Sequence, residues 1–416
     1  MKQKVYFKTF GCRTNMYDSQ VMMSSMKAYD IAESEQDAQI IVVNSCTVTN
    51  GADTHVRSYI SGIKKTNPDV KIFITGCGAH TKGASLLEQN KVFGVFGQSE
   101  KEKIDTLLAQ KQPFYNPGDL NHIDTTVVDE FIGKSRAFIK IQEGCNFRCS
   151  YCIIPFVRGD ARSMDEDRIV EQVQRLASNG FGEFILTGTN VGSYGQDKKS
   201  SLAKLMKRLS MLRGVRRIRL GSVEPIQISD EFKELLDEPW LEKHLHIALQ
   251  HTSPTMLKLM NRRNVYKQDK ELFEFLAQKG FAIGTDFITG FPGETQELWN
   301  EAIEHAKALP LTHIHAFTYS KRDGTPAAHM KPEVNGSVAK ERLHQIQDLV
   351  DEKNYAFRKA VAEPLNVLVE SYKEGAYHGL DQFFNKIIIE SNEDLLGNWI
   401  TIDQYDVKGD CNYARI

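Results

Sequence analysis

Short apolar runs alternate with amphipathic stretches from the start of the chain. VYFKTFG, IIVVNS after Asp37, VKIFITG from Val70 and KVFGVFG from Lys91 are β-branched and aromatic runs that end in small or polar residues. Buried parallel strands have this pattern. Helical stretches are read from Ser19 to Tyr29, from Ala52 to Lys65 and over KEKIDTLLAQ. The alternation predicts an open α/β domain over residues 1–125. Pro113, Asn116, Pro117, Gly118, Asp119 and Asn121 crowd one polar stretch, which reads as a linker.

A second pattern follows. RAFIKIQ, EFILTG, RRIRLGS, HLHIALQ, FAIGTDFITG and HIHAFTY are six strand-like runs, and each but the last precedes a helix-like stretch. Repeated βα units over 134–360 predict a parallel barrel, incomplete because closure takes about eight strands. From Pro364, VLVE, IIIE and WITI segments punctuated by glycine predict a small all-β domain within 361–416.

Composition adds boundaries to this picture. At 416 residues the chain exceeds the size at which one hydrophobic core stops growing, which agrees with several domains. The opening residues lack the apolar core of a signal peptide and no stretch approaches the ~20 apolar residues of a membrane span. A cytoplasmic protein without a membrane partner is expected. A net charge of -2 gives no general attraction to nucleic acid, so DNA is not expected as a partner and any RNA contact must come from local patches. Residues 361–416 hold ten Asp and Glu against four Lys and Arg, a balance of -6 that leaves +4 for the rest of the chain. This sign opposes a purely electrostatic RNA role for the last domain.

Six of the seven cysteines lie within the first 152 residues. In a reducing compartment they suit metal or redox chemistry better than structural disulfides. GCNFRCSYC places Cys145, Cys149 and Cys152 at i, i+4 and i+7, directly after the first predicted barrel strand, where barrel enzymes keep their chemistry. Three thiolates on one compact loop can hold three irons of a 4Fe-4S cubane and leave the fourth iron open to a ligand. A zinc knuckle or fortuitous thiols are the alternatives, but a zinc site wants a fourth Cys or His nearby. Cys12, Cys46 and Cys77 each sit where a predicted strand ends, so an open α/β sheet would bring them to one crevice. They read either as a second three-thiolate cluster or as buried small hydrophobes.

The thiol spacing after a strand resembles the signature of radical S-adenosylmethionine enzymes. The order TFGCxxN, NxCTVT, TGC, CxxxCxxC and IIPFVRGDARS resembles the methylthiotransferase family over nearly the whole chain. The resemblance implies an N-terminal α/β domain, a partial (β/α)6 radical S-adenosylmethionine barrel and a small β domain of the TRAM type over roughly 364–403. It also implies a second 4Fe-4S cluster on Cys12, Cys46 and Cys77, which handles the inserted sulfur and methyl group, while Cys411 lies outside both triads. Two S-adenosylmethionine molecules, a reducing electron donor and tRNA are the implied cofactor and partners. NxCTVTNxAD and LTGxNxGxYG resemble most the branch that modifies N6-threonylcarbamoyladenosine at position 37 of tRNA. The isopentenyladenosine branch, the ribosomal-protein aspartate branch and a non-enzymatic iron-sulfur RNA-binding protein remain alternatives.

LTGTNVGSYG, RLGSVEP, HIALQHTS and IGTDFITGFPGET lie at successive strand ends and resemble the family's barrel motifs. Asn190, Glu224 and Gln250 are expected near S-adenosylmethionine, against the plainer reading of helix caps and turns. Arg158, Arg162 and the run RGVRRIR suit phosphate or an ion-paired surface. Arg262 and Arg263 are placed at the substrate mouth, and His246 and His251 read as supporting histidines rather than ligands.

Overall fold

The computed structural model describes residues 2–128, 131 and 135–416, so the domain start expected at 134 lies outside the described residues. Six strands, β1 (Lys4–Thr9), β2 (Asp30–Ile31), β3 (Ile40–Ser45), β4 (Lys71–Gly76), β5 (Gly94–Phe96) and β6 (Phe114–Asn116), form one sheet in the order β2-β1-β3-β4-β5-β6. Every pairing in it is parallel. The unbroken apolar run of β3 follows from burial on both faces. Ile41 and Val43 pack with Val56 and Ile60 of helix Asn50–Thr66, and Val42 packs on the other face with Met22, Ile104 and Leu108.

Three boundaries differ from expectation. The first helix runs Arg13–Ser25 rather than from Ser19 to Tyr29, and the chain leaves it extended at Met26 because Asp105 takes the N–H groups of Lys27 and Ala28. KEKIDTLLAQ is a 3-10 turn, Gln98–Lys103, followed by the short helix Ile104–Leu108. The stretch read as a linker contains β6, which completes the sheet beside β5.

The central wall holds β7 (Ala137–Glu143), the short antiparallel edge strand β8 (Arg162–Ser163), β9 (Glu183–Gly188), β10 (Arg217–Leu220), β11 (His244–His246), β12 (Ala282–Thr289) and β13 (His313–Thr318). Parallel pairing runs β7-β9-β10 and β11-β12-β13, and bridges Ile218↔Leu241 and Val223↔Ile247 join the two halves. The six parallel strands make the expected partial barrel. Helix Arg13–Ser25 of the first domain packs along β7, where Tyr17 and Val21 share one core with Ile139 and Ile141. The last strand also has a helix after it, Gly336–Ala360, which the sequence reading did not expect. Asn335 caps its start, and Ala339, Ile346 and Val350 are buried along it.

The C-terminal domain is a six-stranded sheet of β14 (Leu365–Lys373), β15 (Ala376–Leu380), β16 (Lys386–Glu390), β17 (Trp399–Ile402), β18 (Asp406–Lys408) and β19 (Cys411–Arg415), in the order β17-β14-β15-β16-β19-β18. It docks on the N-terminal ends of the barrel strands, opposite the predicted chemistry. Arg219 pairs with Glu183 at 2.6 Å and with Glu242, and donates to the Asp381 carbonyl at 2.6 Å. Arg217 donates to Asn366, and Arg216 and Arg217 lie over the Trp399 ring. The RGVRRIR run is therefore largely spent on this joint. Phe384, at φ 68°, stacks on His244 with 5.0 Å between ring centroids, and the guanidinium groups of Arg219 and Arg13 lie 5.3 and 5.7 Å from its ring. Among the described residues no helix is long and apolar enough to cross a membrane.

Candidate cluster sites

Cys12, Cys46 and Cys77 follow the C-terminal ends of β1, β3 and β4, which are neighbours in the sheet. The register sets Thr9 beside Asn44 and Ser45 beside Gly76, so parallel pairing places the three loops at one edge. Asn15 ties two of them, donating to the Phe10 carbonyl at 2.8 Å and the Ser45 carbonyl at 3.1 Å. Glycine is required just before two of the thiols. Gly11 has φ 94°, and a Cβ there would lie 2.6 Å from Cys46 Cβ; Gly76 has φ 84°, and a Cβ there would lie 2.4 Å from the Ser45 carbonyl. Cys12 stands at the N-cap position of helix Arg13–Ser25. Burial pushes the Cys77 thiol up to about 11 and raises that of Cys46 as well.

The second triad is local. Cys145, Cys149 and Cys152 follow β7 on one loop that folds on itself through the Cys152 N–H to the Cys149 carbonyl, 3.0 Å. Ser150 pins the loop to the end of helix Pro254–Leu259 by donating from its N–H to Met260 and from its hydroxyl to Leu259, each 2.9 Å. Gly144, at φ 72°, precedes Cys145, and a Cβ there would lie 2.0 Å from the Asp160 carbonyl. Burial pushes the Cys152 thiol up to about 12. Asn190 Nδ2 donates to Cys145 Sγ at 3.5 Å and Arg262 Nη1 to Cys149 Sγ at 3.6 Å. N–H groups aimed at sulfur suit anionic thiolates, as iron ligation requires, so these residues fit a thiolate-bound cluster.

The two triads share a wall. Cys77 packs against Ile153, the residue after Cys152, and Val157 in the short helix that follows. Beside them lies a buried ionic group: Lys101, Lys140 and Arg158 against Asp18, Asp124 and Glu143. Burial opposes ionisation of Asp18, but Lys101, Lys140 and Arg158 hold its carboxyl well below the usual range. Sequence reading placed Arg158 near phosphate or in a surface pair. It is instead internal, and its Nε donates to Cys77 Sγ at 3.2 Å. No sequence signal marked Lys140 or Asp18 as part of this region.

The expected polar residues line the barrel interior in different ways. Asn190 is held on both sides, its N–H donating to Gln142 Oε1 and its Oδ1 accepting from Gln227 Nε2, each 2.8 Å. Gln142 and Gln227 were not singled out from the sequence. Glu224 takes both Arg262 nitrogens, one at 2.9 Å, while burial raises its carboxyl. Gln250 adopts φ 68° and joins β12 through its N–H to the Asp286 carbonyl, 2.9 Å. Asp286 faces His246 at 3.1 Å and His315 at 3.5 Å; burial opposes its ionisation, but these two rings hold it well below the carboxylate range. His251 is fully buried and accepts from the Ser253 N–H, the supporting role expected of it. Arg263 lies over Phe147 of the cluster loop, 4.3 Å from the ring centroid.

Residues 4–97 match the uncharacterized protein family UPF0004 and residues 139–306 match the radical SAM superfamily. A putative methylthiotransferase of Helicobacter pylori is 53% identical over 99% of each chain. The threonylcarbamoyladenosine tRNA methylthiotransferase MtaB of Bacillus subtilis is 37% identical, over 96% of this chain and 93% of its own. Among solved structures, the radical S-adenosylmethionine methyltransferase TsrM of Kitasatospora setae shares the fold, with a TM-score of 0.61 at 16% identity over 79% of this chain and 77% of its own. With these relatives spanning nearly its whole length, the chain belongs to the methylthiotransferase family of radical S-adenosylmethionine enzymes and is a transferase.

Proposed function

We propose that the protein adds a methylthio group to C2 of N6-threonylcarbamoyladenosine at position 37 of tRNA, using two S-adenosylmethionine molecules and two 4Fe-4S clusters. The observation that carries this reading is the packing of Cys77 on Ile153 and Val157, which brings the sheet triad beside the segment that follows Cys152. Cys145, Cys149 and Cys152 would hold one cluster, and Cys12, Cys46 and Cys77 the other. Bound there, the former would supply the electron that splits S-adenosylmethionine into methionine and a 5′-deoxyadenosyl radical, and the latter would carry the sulfur and methyl group.

The chain's own residues serve this chemistry by position. Asn190 and Arg262 donate toward the sulfurs of Cys145 and Cys149, which offsets negative charge in a partly buried place. Asn190, Glu224 and Gln250 line the place for S-adenosylmethionine. Gln142 and Gln227 fix Asn190, and Arg262 fixes Glu224, so a ligand meets polar atoms already oriented. The substrate assignment rests on the motifs NxCTVTNxAD and LTGxNxGxYG and on the name of the Bacillus subtilis relative. On this reading tRNA and a reducing electron donor are the partners, in the cytoplasm.

Nucleoside analysis of tRNA from a deletion strain tests the assignment. Loss of the methylthio form of threonylcarbamoyladenosine, with accumulation of its precursor, is expected. Loss of methylthio-isopentenyladenosine instead would move the substrate to the other tRNA branch. Unchanged methylthio-nucleosides beside an unmodified ribosomal aspartate would move it to a protein.

A further inference from the structure

One side chain touches both halves of the proposed site. Arg158 is 3% exposed, and each nitrogen of its guanidinium has a fixed partner. Nε donates to Cys77 Sγ at 3.2 Å, Nη1 donates to Asp18 at 2.8 Å and to Glu143 at 2.6 Å, and Nη2 donates to Asn15 Oδ1. Asn15 and Asp18 belong to the helix that follows Cys12, and Glu143 is the last residue of β7, two positions before Cys145. The guanidinium thus ties the sheet triad to the root of the loop triad.

We propose that Arg158 is a positioning residue that raises the reduction potential of the cluster on Cys12, Cys46 and Cys77 and fixes its place relative to the Cys145 loop. The inference rests on the two-cluster reading above. Hydrogen bonds to cluster sulfur draw off negative charge and favour the reduced form, and burial leaves that effect little screened. Only an arginine has the geometry: its planar fork reaches Asp18, Glu143 and Asn15 while Nε remains for sulfur. The surrounding group holds three carboxylates, Asp18, Asp124 and Glu143, and three cations, Lys101, Lys140 and Arg158. Arg158→Lys keeps that balance and the fold while removing the donor to Cys77.

The test uses the full chain with Cys145, Cys149 and Cys152 changed to alanine, so that the sheet triad alone binds iron. After anaerobic reconstitution, dithionite titrations followed by EPR compare this protein with and without Arg158→Lys. The expected result is about four irons in both and a midpoint lower in the lysine variant, by roughly a tenfold shift in the reduction equilibrium, about 59 mV for one electron. In the converse Cys12, Cys46 and Cys77 alanine background, where Cys77 Sγ is gone, Arg158→Lys should leave the midpoint of the remaining cluster unchanged. An unmoved midpoint in the loaded sheet triad, or equal shifts in both backgrounds, would overturn the role of Arg158. Absence of iron before Arg158 is altered would instead overturn the two-cluster reading. Should the lysine variant fail to load, pulsed EPR of the sheet-triad protein labelled with 15N-arginine decides: a nitrogen coupling to the cluster supports the contact, and its absence removes it.

Discussion

Cys145, Cys149 and Cys152 sit on a single loop behind one strand, whereas Cys12, Cys46 and Cys77 arrive at one edge from three strands and three separate loops. The loop triad owes its shape to short-range backbone bonds, such as the Cys152 N–H to the Cys149 carbonyl. The sheet triad owes its shape to the register of β1, β3 and β4 and to glycines at positive φ where those loops meet. One site is a property of a short sequence and the other a property of a folded domain. They should therefore fail separately and for different reasons.

The largest effects come from the thiols themselves. Cys149→Ala should reduce S-adenosylmethionine cleavage to background, while Cys46→Ala should keep cleavage, read as 5′-deoxyadenosine under dithionite, and give no methylthio product. If Cys46→Ala also lost cleavage, the division of labour between the triads would be wrong. The glycines sharpen the comparison. Gly144→Ala and Gly76→Ala each impose a strained φ, about 1–3 kcal/mol, and a backbone clash, so each should lose about four of some eight irons from its own triad and spare the other. Iron and acid-labile sulfide per chain give the answer.

A third change lies far from both triads. Arg219→Met leaves Glu242 buried without its cation, while Glu183 keeps Arg217 at 3.3 Å, and should cost about 3–5 kcal/mol by chemical denaturation, with iron loading in the folded fraction unchanged. The smallest effect is one of pH. Burial, with His313 and His246 nearby, holds the His244 imidazole well below its ordinary value, so the folded protein stays unprotonated there while the unfolded chain takes up a proton. Stability should therefore fall as pH drops below about 6.5, by up to ~1.4 kcal/mol per pH unit from this group, and His244→Gln should flatten that slope.

Much of the site was legible because cysteine chemistry and strand ends are both local signals. The CxxxCxxC spacing marked one triad outright, and the rule that parallel strands deliver their loops to a common edge brought Cys12, Cys46 and Cys77 together. Arg158 was not legible in the same way, since its partner Asp18 lies 140 positions away and an ion pair between domains leaves no periodicity. Arg219 misled for a related reason: a basic run looks the same whether it meets phosphate or the buried Glu183 and Glu242. Short strands were also lost. β6, β15, β18 and β19 are only three to five residues long and mix polar with apolar positions, and the β14–β15 turn rests on Glu374 and Gly375, both at positive φ.

The stacking of Phe384 on His244 gives the barrel a floor, so traffic through that end is barred. On the proposed reaction, methionine and 5′-deoxyadenosine would have to depart at the other end of the barrel, where the Cys145 loop lies. The next S-adenosylmethionine could not take its place until those products had cleared. Traffic at that doorway, rather than bond making, would then set the pace of turnover.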